Sequence, residues 1–149
     1  MEDLIPKSKE NELISLLNSG DGVALPLPFE QDIFLRGTEV AGTSYRENIE
    51  ELFAMLQEGD LVTLIREPEN PYDEYAIRLD LDADGRPGYD PRATDLDDRS
   101  RMIGYVPRYE NKVFARLMDA GKLLYGKVRH KEIVNGRYHR IVIKIYMRD

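Results

Sequence analysis

The sequence predicts an α+β fold, in which five or six mostly antiparallel strands curl into a small barrel that carries two helices. Three observations predict it. Runs rich in β-branched and aromatic residues recur along the chain. Two segments carry apolar residues at helical spacing. Asn135-Gly136 separates two such β-rich runs, which is typical of a tight antiparallel hairpin. A chain of 149 residues suits one domain.

Composition excludes several classes of protein. The chain has no cysteine and only two histidines, so neither a disulfide framework nor a Cys/His zinc site can form. An apolar run of about 18 residues is absent, so no membrane-spanning helix is expected. The acidic N-terminus lacks the layout of a secretory signal. We therefore expect a soluble, cytoplasmic protein that contacts no membrane.

Charge is distributed unevenly along the chain. The formal net charge is -7, yet residues 102–149 hold 11 Lys+Arg against 4 Asp+Glu. Such asymmetry indicates an interaction surface, or two halves that neutralise each other in the fold. Composition leaves both explanations open.

Residues 1–32 are predicted to form an N-terminal arm outside the main domain, which spans 33–149. Leucines at helical spacing indicate a short helix in the arm that ends at Gly20. Pro26 and Pro28 then favour extended backbone, because proline removes a donor and biases the preceding residue away from helix.

The spacing of apolar residues and the positions of glycine and capping residues predict the first elements of the domain. A strand is predicted over 33–43, with Gly37 and Gly42 indicating a bulge or a close backbone approach. Asn48 is predicted to cap a helix, with Glu51 completing a capping-box spacing. Gly59 ends this helix. Its apolar face comprises Ile49, Leu52, Phe53 and Leu56.

The middle of the chain continues in the same way. A second strand covers 61–66, a proline-rich turn covers 68–71, and alternating apolar residues indicate a third strand from Tyr75 to Leu81. Residues 82–101 are predicted to be an acidic hairpin insertion. A short strand over 102–106 and a second helix follow. The predicted buried side of that helix comprises Val113, Phe114, Leu117 and Met118, and Gly121 ends it.

The C-terminal hairpin has a predicted register. A two-residue type I′ turn places Val134 opposite Arg137. The predicted core pairs are Val128–Ile143, His130–Ile141 and Leu124–Met147. The predicted outward pairs are Tyr125–Tyr146, Lys127–Lys144, Arg129–Val142 and Lys131–Arg140. Like charges directly opposite each other are destabilising, so this face is expected to meet an anion, either an acidic segment or a phosphate backbone.

Catalytic and metal-binding patterns are weak. Ser44 lies near a predicted strand end, but no histidine base is indicated for it. The phosphate-binding pattern GxxxxGK[ST] is absent. Asp80, Asp82 and Asp84 resemble the opening of a calcium loop, yet its closing glutamate position is Pro91. We expect no enzyme activity, metal or cofactor.

A second metal candidate lies beside the hairpin turn. The predicted register places Glu132 opposite His139 and puts His130 on the same side. Two imidazoles and a carboxylate can bind a metal, but a fourth ligand is lacking, so a surface Glu–His pair is favoured.

Tyrosine recurs beside basic residues. The pattern includes Tyr45-Arg46 and Arg108-Tyr109, and Tyr125 and Tyr138 lie near lysine or arginine. Cations attract phosphates, and rings stack bases at roughly 1–3 kcal/mol each, so this combination favours single-stranded nucleic acid as a partner.

Three motifs resemble the HIRAN domain family. They are VAGTSY (40–45), REPENPYDEYAI (66–77) and IGYVPR (103–108), in the order and spacing of the family. The resemblance covers residues 33–147 and looks closest to stand-alone bacterial members. It implies an OB-like β-barrel. By analogy with members fused to fork-remodelling helicases, it also implies capture of a single-stranded DNA 3′ end.

The resemblance implies site residues one by one. Tyr45 falls on a stacking position. Tyr72 falls where the ring stacks the terminal base, and Asp73 where the carboxylate accepts a hydrogen bond from the 3′-hydroxyl. Tyr105 and Arg108 fall beside the phosphates. Tyr138 matches a later aromatic position.

Two positions depart from the family pattern. Ser44 stands where DNA-binding eukaryotic members carry an arginine, and Arg46 follows Tyr45 instead. Neighbouring strand residues point to opposite faces, so Arg46 is not expected to replace that arginine. Tyr75 stands where asparagine is usual. These departures predict a weaker phosphate contact.

The sequence thus predicts a non-catalytic nucleic-acid-binding module for single-stranded DNA 3′ ends, acting in DNA repair or replication-fork processing beside a helicase or nuclease partner. The alternative is a protein-interaction or self-association module, a homo-oligomer included, that uses the basic face of the C-terminal hairpin. For Asp73, a purely structural role in the turn is the competing interpretation.

Overall fold

The structure is a computed structural model that describes residues 32–82 and 98–148. Predictions for the arm up to residue 31, and for residues 83–97 of the insertion, lie outside the described residues. These include the leucine-rich helix, the extended proline segment, and the third carboxylate and closing position of the calcium-like pattern.

The described residues form one six-stranded antiparallel sheet in the order β1-β6-β5-β2-β3-β4. Two helices and a short 3₁₀ turn complete the domain. The strands are β1 (Asp32–Glu39), β2 (Leu61–Arg66), β3 (Ile77–Leu81), β4 (Met102–Tyr105), β5 (Leu123–Val134) and β6 (Tyr138–Arg148), the helices are α1 (Ile49–Met55) and α2 (Asn111–Asp119), and the 3₁₀ turn is Thr43–Tyr45.

Backbone just beyond β1 joins the two ends of this sheet. Ala41 and Tyr105 exchange backbone hydrogen bonds of 2.8 and 2.9 Å. The approach requires a glycine at 104, because a Cβ there would lie 2.3 Å from the Ala41 carbonyl oxygen. The sheet therefore curls into the small OB-like barrel that the sequence predicted.

The first predicted strand is too long. β1 ends at Glu39, and Gly42 adopts a left-handed conformation (φ 77°) from which the 3₁₀ turn begins. The bulge in this strand falls between Phe34 and Arg36 rather than at a glycine. Asn48 does precede α1, but its side chain makes no capping hydrogen bond and instead donates to the carbonyl of Ser100. The predicted capping box is therefore wrong.

The buried face of α2 also differs from the prediction. Val113 is 66% exposed, whereas Phe114 and Ala115 are buried, and Leu117 and Met118 pack against the core. The face is rotated because the polar residue Asn111 occupies a buried position in the first turn. An apolar count could not anticipate a buried asparagine.

The hairpin turn is confirmed, but half of its register is wrong. Asn135 and Gly136 both have positive φ, and Arg137 N donates to Val134 O at 3.1 Å. Pairing resumes one residue later than predicted, with Val134 opposite Tyr138, and a bulge between Val128 and His130 restores the predicted register.

The bulge lies next to a residue that is also bonded on the other side of β5. Val128 exchanges backbone hydrogen bonds with the loop before β2, through Gly59 N (2.7 Å) and Asp60 O (2.8 Å). Beyond the bulge, the predicted pairs Val128–Ile143 and Leu124–Met147 are confirmed. Tyr125–Tyr146 and Lys127–Lys144 are also confirmed as pairs, but Tyr125 is buried rather than exposed on the outward face. The predicted pairs nearer the turn, which are His130–Ile141, Arg129–Val142, Lys131–Arg140 and Glu132–His139, are wrong.

The barrel interior is filled by the alternate apolar residues of the strands and by one face of each helix. The fully buried side chains include Leu64, Ile77, Leu79, Ile103, Ile141, Ile143 and Ile145. None of the helices that the structure describes is long and apolar enough to cross a membrane.

Candidate nucleic-acid interface

A cleft of about 540 Å³ opens between the turn that joins β2 to β3 and the segment that leads into α2. Three of the six predicted site residues line it, namely Tyr72, Asp73 and Arg108. The other lining residues are Asn70, Pro71, Glu74, Tyr75, Tyr109, Asn111 and Lys112. The cleft is therefore built from the second motif, from the last residue of the third motif, and from the residues that follow it.

The second motif folds as a turn fixed by its own side chains. Asn70 Oδ1 accepts from Tyr72 N at 2.9 Å, and Asp73 Oδ1 accepts from Tyr75 N at 2.9 Å. Each is a side-chain-to-backbone bond two residues along, as asparagine and aspartate commonly make in turns. The competing structural role for Asp73 is therefore present.

Asp73 also links the turn to α2. Its second oxygen, Oδ2, accepts from Asn111 Nδ2 at 2.8 Å, and Asn111 is only 2% exposed. A carboxylate offers about four lone-pair sites, of which these two hydrogen bonds use two. Asp73 thus holds the cleft in shape and still has acceptor capacity for a guest.

Two large rings stand free at the cleft. Tyr72 is 83% exposed and Tyr109 is 84% exposed. Arg108 and Lys112 are exposed cations in the same lining, and Lys112 Nζ lies 5.5 Å from the centre of the Tyr75 ring. Free rings beside cations are the elements that a single strand needs for stacking and phosphate contact.

Several cleft residues were missed by sequence reasoning. The sequence pattern marks Tyr109 only as a neighbour of Arg108, and it does not mark Lys112 or Asn111 as site residues. The signal for Tyr109 and Lys112 was their closeness in sequence to Arg108. No local signal marked Asn111, because its partner Asp73 lies 38 residues away.

Tyr105 supports the cleft from β4 and does not line it. Its hydroxyl donates to Glu67 Oε1 at 2.8 Å, and burial raises the pKa of this hydroxyl. The same Glu67 oxygen accepts from Asn70 Nδ2 at 3.0 Å. Tyr105 is therefore connected to the turn through Glu67.

Tyr45 and Tyr138 lie apart from the cleft lining. Tyr45 ends the 3₁₀ turn and is 80% exposed. Thr43, in the same turn, donates to the carbonyl of His139 at 2.9 Å, which ties the turn to β6. Tyr138 begins β6, where its hydroxyl donates to Glu39 Oε1 at 3.3 Å and burial raises its pKa.

The Arg46 side chain contacts Met102 on β4. The residue follows a 3₁₀ turn rather than a strand, so the alternation expected for it does not apply. Its Nη1 lies 2.8 Å from Met102 Sδ, and the side chain is partly buried. Ser44 is exposed. The structure thus gives Arg46 a packing contact with Met102.

The metal candidate at the hairpin does not assemble. Glu132 faces Arg140, whose Nη1 lies 2.7 Å from Glu132 Oε1. The His139 ring packs edge-on against Phe53, with 4.9 Å between the ring centres. Within residues 32–82 and 98–148, no group of three or more His, Cys, Asp or Glu side chains is placed to hold a metal ion.

Known proteins share this sequence pattern and fold. A curated relative, the Fanconi-associated nuclease 1 homolog of Oryza sativa subsp. japonica, is 39% identical over 82 residues, or 55% of this chain. The match spans only 7% of that protein's length.

Solved structures show the same architecture. The crystal structure of a Lactobacillus plantarum protein superposes with a TM-score of 0.60 at 26% identity, covering 78% of this chain and 95% of that one. The HIRAN domain of human HLTF superposes with a TM-score of 0.51 at 17% identity, covering 78% of each chain.

The family model described as the HIRAN domain matches residues 33–148, which include every strand and helix described above except the first residue of β1. The three motifs lie within that range, at the barrel closure and around the cleft. The chain therefore belongs to the HIRAN domain family.

Proposed function

We propose that this chain is a non-catalytic DNA-binding module that captures the 3′ end of a single strand in the cleft. HIRAN domains bind DNA and act as binding modules. The observation that carries the proposal is the grouping in one cleft of two exposed rings, two cations and a carboxylate with spare acceptor capacity.

Four cleft residues have a direct role in this proposal. The terminal base stacks on Tyr72, and the 3′-hydroxyl donates to Asp73. A continuing phosphate is disfavoured there, because a carboxylate repels it and cannot donate to it. Arg108 and Lys112 neutralise the phosphates that precede the end.

The remaining predicted residues act around the cleft. Tyr45, with its exposed ring, stacks a base further along the strand. Tyr105 positions the turn through Glu67. Tyr138, at the start of β6, contacts the bound strand. The missed residue Tyr109 adds a second ring at the cleft itself.

A role in DNA repair or replication-fork processing, beside a helicase or nuclease partner, follows as part of the proposal. One relative of the chain is named as a Fanconi-associated nuclease homolog. Only a small part of that relative is matched, so the nuclease name supports a shared binding module rather than a shared reaction.

The test compares oligonucleotides that end in a 3′-hydroxyl or a 3′-phosphate, by fluorescence anisotropy. The wild type should prefer the hydroxyl end by about tenfold, which corresponds to about 1.4 kcal/mol. Asp73→Asn should reduce this preference, because it removes the charge that repels the phosphate. Tyr72→Ala should weaken binding to both ends.

Glu74→Gln is the matched control, since Glu74 is an exposed acid in the same cleft lining. This variant makes the same change of charge and should keep the end preference. Equal affinity of the wild type for both ends would contradict the proposal. Affinity should also fall steeply with salt, because phosphate contacts release counterions.

A further inference from the structure

The outer face of β5, β6 and β1 carries an aromatic row that the cleft does not use. Tyr146 pairs with Tyr125 on one side and with Phe34 on the other. The Tyr125 and Tyr146 rings are stacked, with 5.5 Å between their centres. The Phe34 ring meets the Tyr146 ring edge-on, with 5.6 Å between their centres. Phe34 ends the row at the sheet edge and is 54% exposed. Tyr125 is itself buried and Tyr146 is half-buried, so Phe34 and Tyr146 supply the accessible aromatic surface of these three strands, and Tyr125 supports Tyr146 from beside it.

Two lysines lie directly beside this row. Lys127 and Lys144 are opposite each other in the β5–β6 ladder, and Lys127 Nζ lies 5.5 Å from the centre of the Tyr146 ring. In the part of the chain that the structure describes, neither lysine forms an ion pair with a carboxylate. Like charges in such a position repel, so the pair favours an added anion.

Asp32 does not neutralise the lysine pair through a salt bridge. Its carboxylate accepts from Arg148 Nε at 3.2 Å and from the Tyr125 hydroxyl. It therefore anchors the end of the row and holds Tyr125 in place. The hydrogen bond from Tyr125, then Arg148 and the charge of Lys127, lower the pKa of Asp32, so Lys127 is near this carboxylate without forming a salt bridge to it.

The surface next to Lys144 is open. Gly37 is the residue opposite Lys144 on β1, and a Cβ added there would meet only the Ile143 carbonyl oxygen, at 3.8 Å. Neither packing nor a left-handed conformation requires glycine here. Its missing side chain leaves room beside the lysine and next to the aromatic row.

We propose that this aromatic–lysine face, made of Phe34, Tyr125, Lys127, Lys144 and Tyr146, binds a second stretch of single-stranded nucleic acid. Bases stack against Phe34 and Tyr146, and phosphates lie over the lysine pair. An acidic peptide would neutralise the lysines but would leave the rings without stacking partners. The combination of rings with cations that form no ion pair among the described residues therefore fits a strand of nucleotides.

The face is built from β1, β5 and β6, whereas the cleft is built from the β2–β3 turn and the start of α2. This site consequently requires no strand end. A circular single-stranded DNA tests it alone, since a circle cannot place a 3′-hydroxyl in the cleft.

The experiment measures binding of the full chain to a circular single-stranded DNA by fluorescence anisotropy. The wild type should bind the circle, and the double variant Lys127→Ser/Lys144→Ser should weaken binding by at least about fivefold and lower the salt dependence by about one to two counterions. Phe34→Ser should weaken binding without lowering the salt dependence.

Two controls locate the effect. Lys122→Ser removes an exposed lysine outside the face and should leave binding of the circle unchanged. Arg116→Ser removes an exposed arginine of α2 that lies outside both the face and the cleft lining, and it should also leave binding of the circle unchanged. A failure of 3′-end preference on linear DNA would therefore count against the cleft and not against this face.

Three results would overturn the proposal. They are no binding of the circle, binding that the lysine variant does not weaken, and weakening by Lys122→Ser as large as that by the lysine pair. Sedimentation of the same proteins covers self-association. A wild-type dimer that the double variant abolishes, without any binding of the circle, would assign the face to a second copy of this chain and overturn the nucleic-acid proposal.

Discussion

At the scale of single residues, Asp73 combines a structural contact with a proposed recognition contact. One of its oxygens fixes the turn through Tyr75 N, and the other holds Asn111 on α2. Both partners orient the carboxylate toward one position. A fixed orientation favours selection of a strand end, because no side-chain freedom is lost when the hydroxyl binds.

Tyr125 gives a prediction at the same scale. Burial, together with its hydrogen bond to Asp32, raises the pKa of this hydroxyl to about 12. The unfolded chain has the ordinary tyrosine value of about 10. The folded state therefore binds the proton more tightly. The stabilisation is fully present below about pH 10 and is lost as the pH rises to about 12.

Urea unfolding at pH 8 and pH 11 measures this effect. The wild type should lose more free energy of unfolding between the two values than Tyr125→Phe, which has no proton to lose. Tyr109→Phe alters an exposed ring and should keep the wild-type difference. Identical losses for the wild type and Tyr125→Phe would contradict the assigned role of the hydroxyl.

At the scale of elements, α2 shows how a buried polar residue sets the orientation of a helix. Asn111, Phe114, Ala115 and Met118 share one face at helical spacing, and this face packs inward. Val113 consequently points outward. The same face brings Asn111 to Asp73, so packing of the helix and shape of the cleft depend on each other.

Substitutions in adjacent positions test this orientation. Phe114→Ala should lower the free energy of unfolding by about 3–5 kcal/mol, because it empties space in the core. Val113→Ala should change it by less than about 1 kcal/mol, because the side chain is largely exposed. Urea denaturation measures both values, and a larger loss for Val113→Ala than for Phe114→Ala would reverse the assignment.

At the scale of the whole molecule, Gly104 permits closure of the barrel. Its φ is 154°, and a Cβ there would lie 2.3 Å from the Ala41 oxygen and 2.6 Å from Val40 Cγ1. The bridge between Ala41 and Tyr105 brings the first and third motifs together. Closure therefore places Tyr105, and through Glu67 the turn of the cleft.

Gly104→Ala should consequently destabilise the fold by about 2–4 kcal/mol, since backbone must shift and the conformation is strained. Gly121→Ala is the matched control, because Gly121 also has a positive φ (92°) but open space around it. That variant should cost about 1 kcal/mol. Chemical denaturation compares the free energies of unfolding of the two variants. Equal losses would show that the close approach of residue 104 to Ala41 does not add to the cost of the substitution.

Local patterns predicted much of the fold. The strand over 61–66 and the positive φ of Asn135 and Gly136 were predicted as observed, because strand period and turn conformation depend on neighbouring residues. The predicted pairing of Val134 with Arg137 was wrong. The hairpin bulge was not predictable in this way. It arises where Val128 bonds to Gly59 and Asp60, which are distant in sequence.

The sequence by itself determined the α+β class, because periodicity depends on neighbouring residues. Through contiguous motifs that resemble the family, it also pointed to three residues of the cleft. Only the tertiary structure decided that Tyr105 supports the turn rather than lining the cleft, that Tyr109 and Lys112 join it, and that Asp73 is shared with Asn111. The physical reason is that these contacts join segments far apart along the chain, and close packing alone fixes which side chains meet.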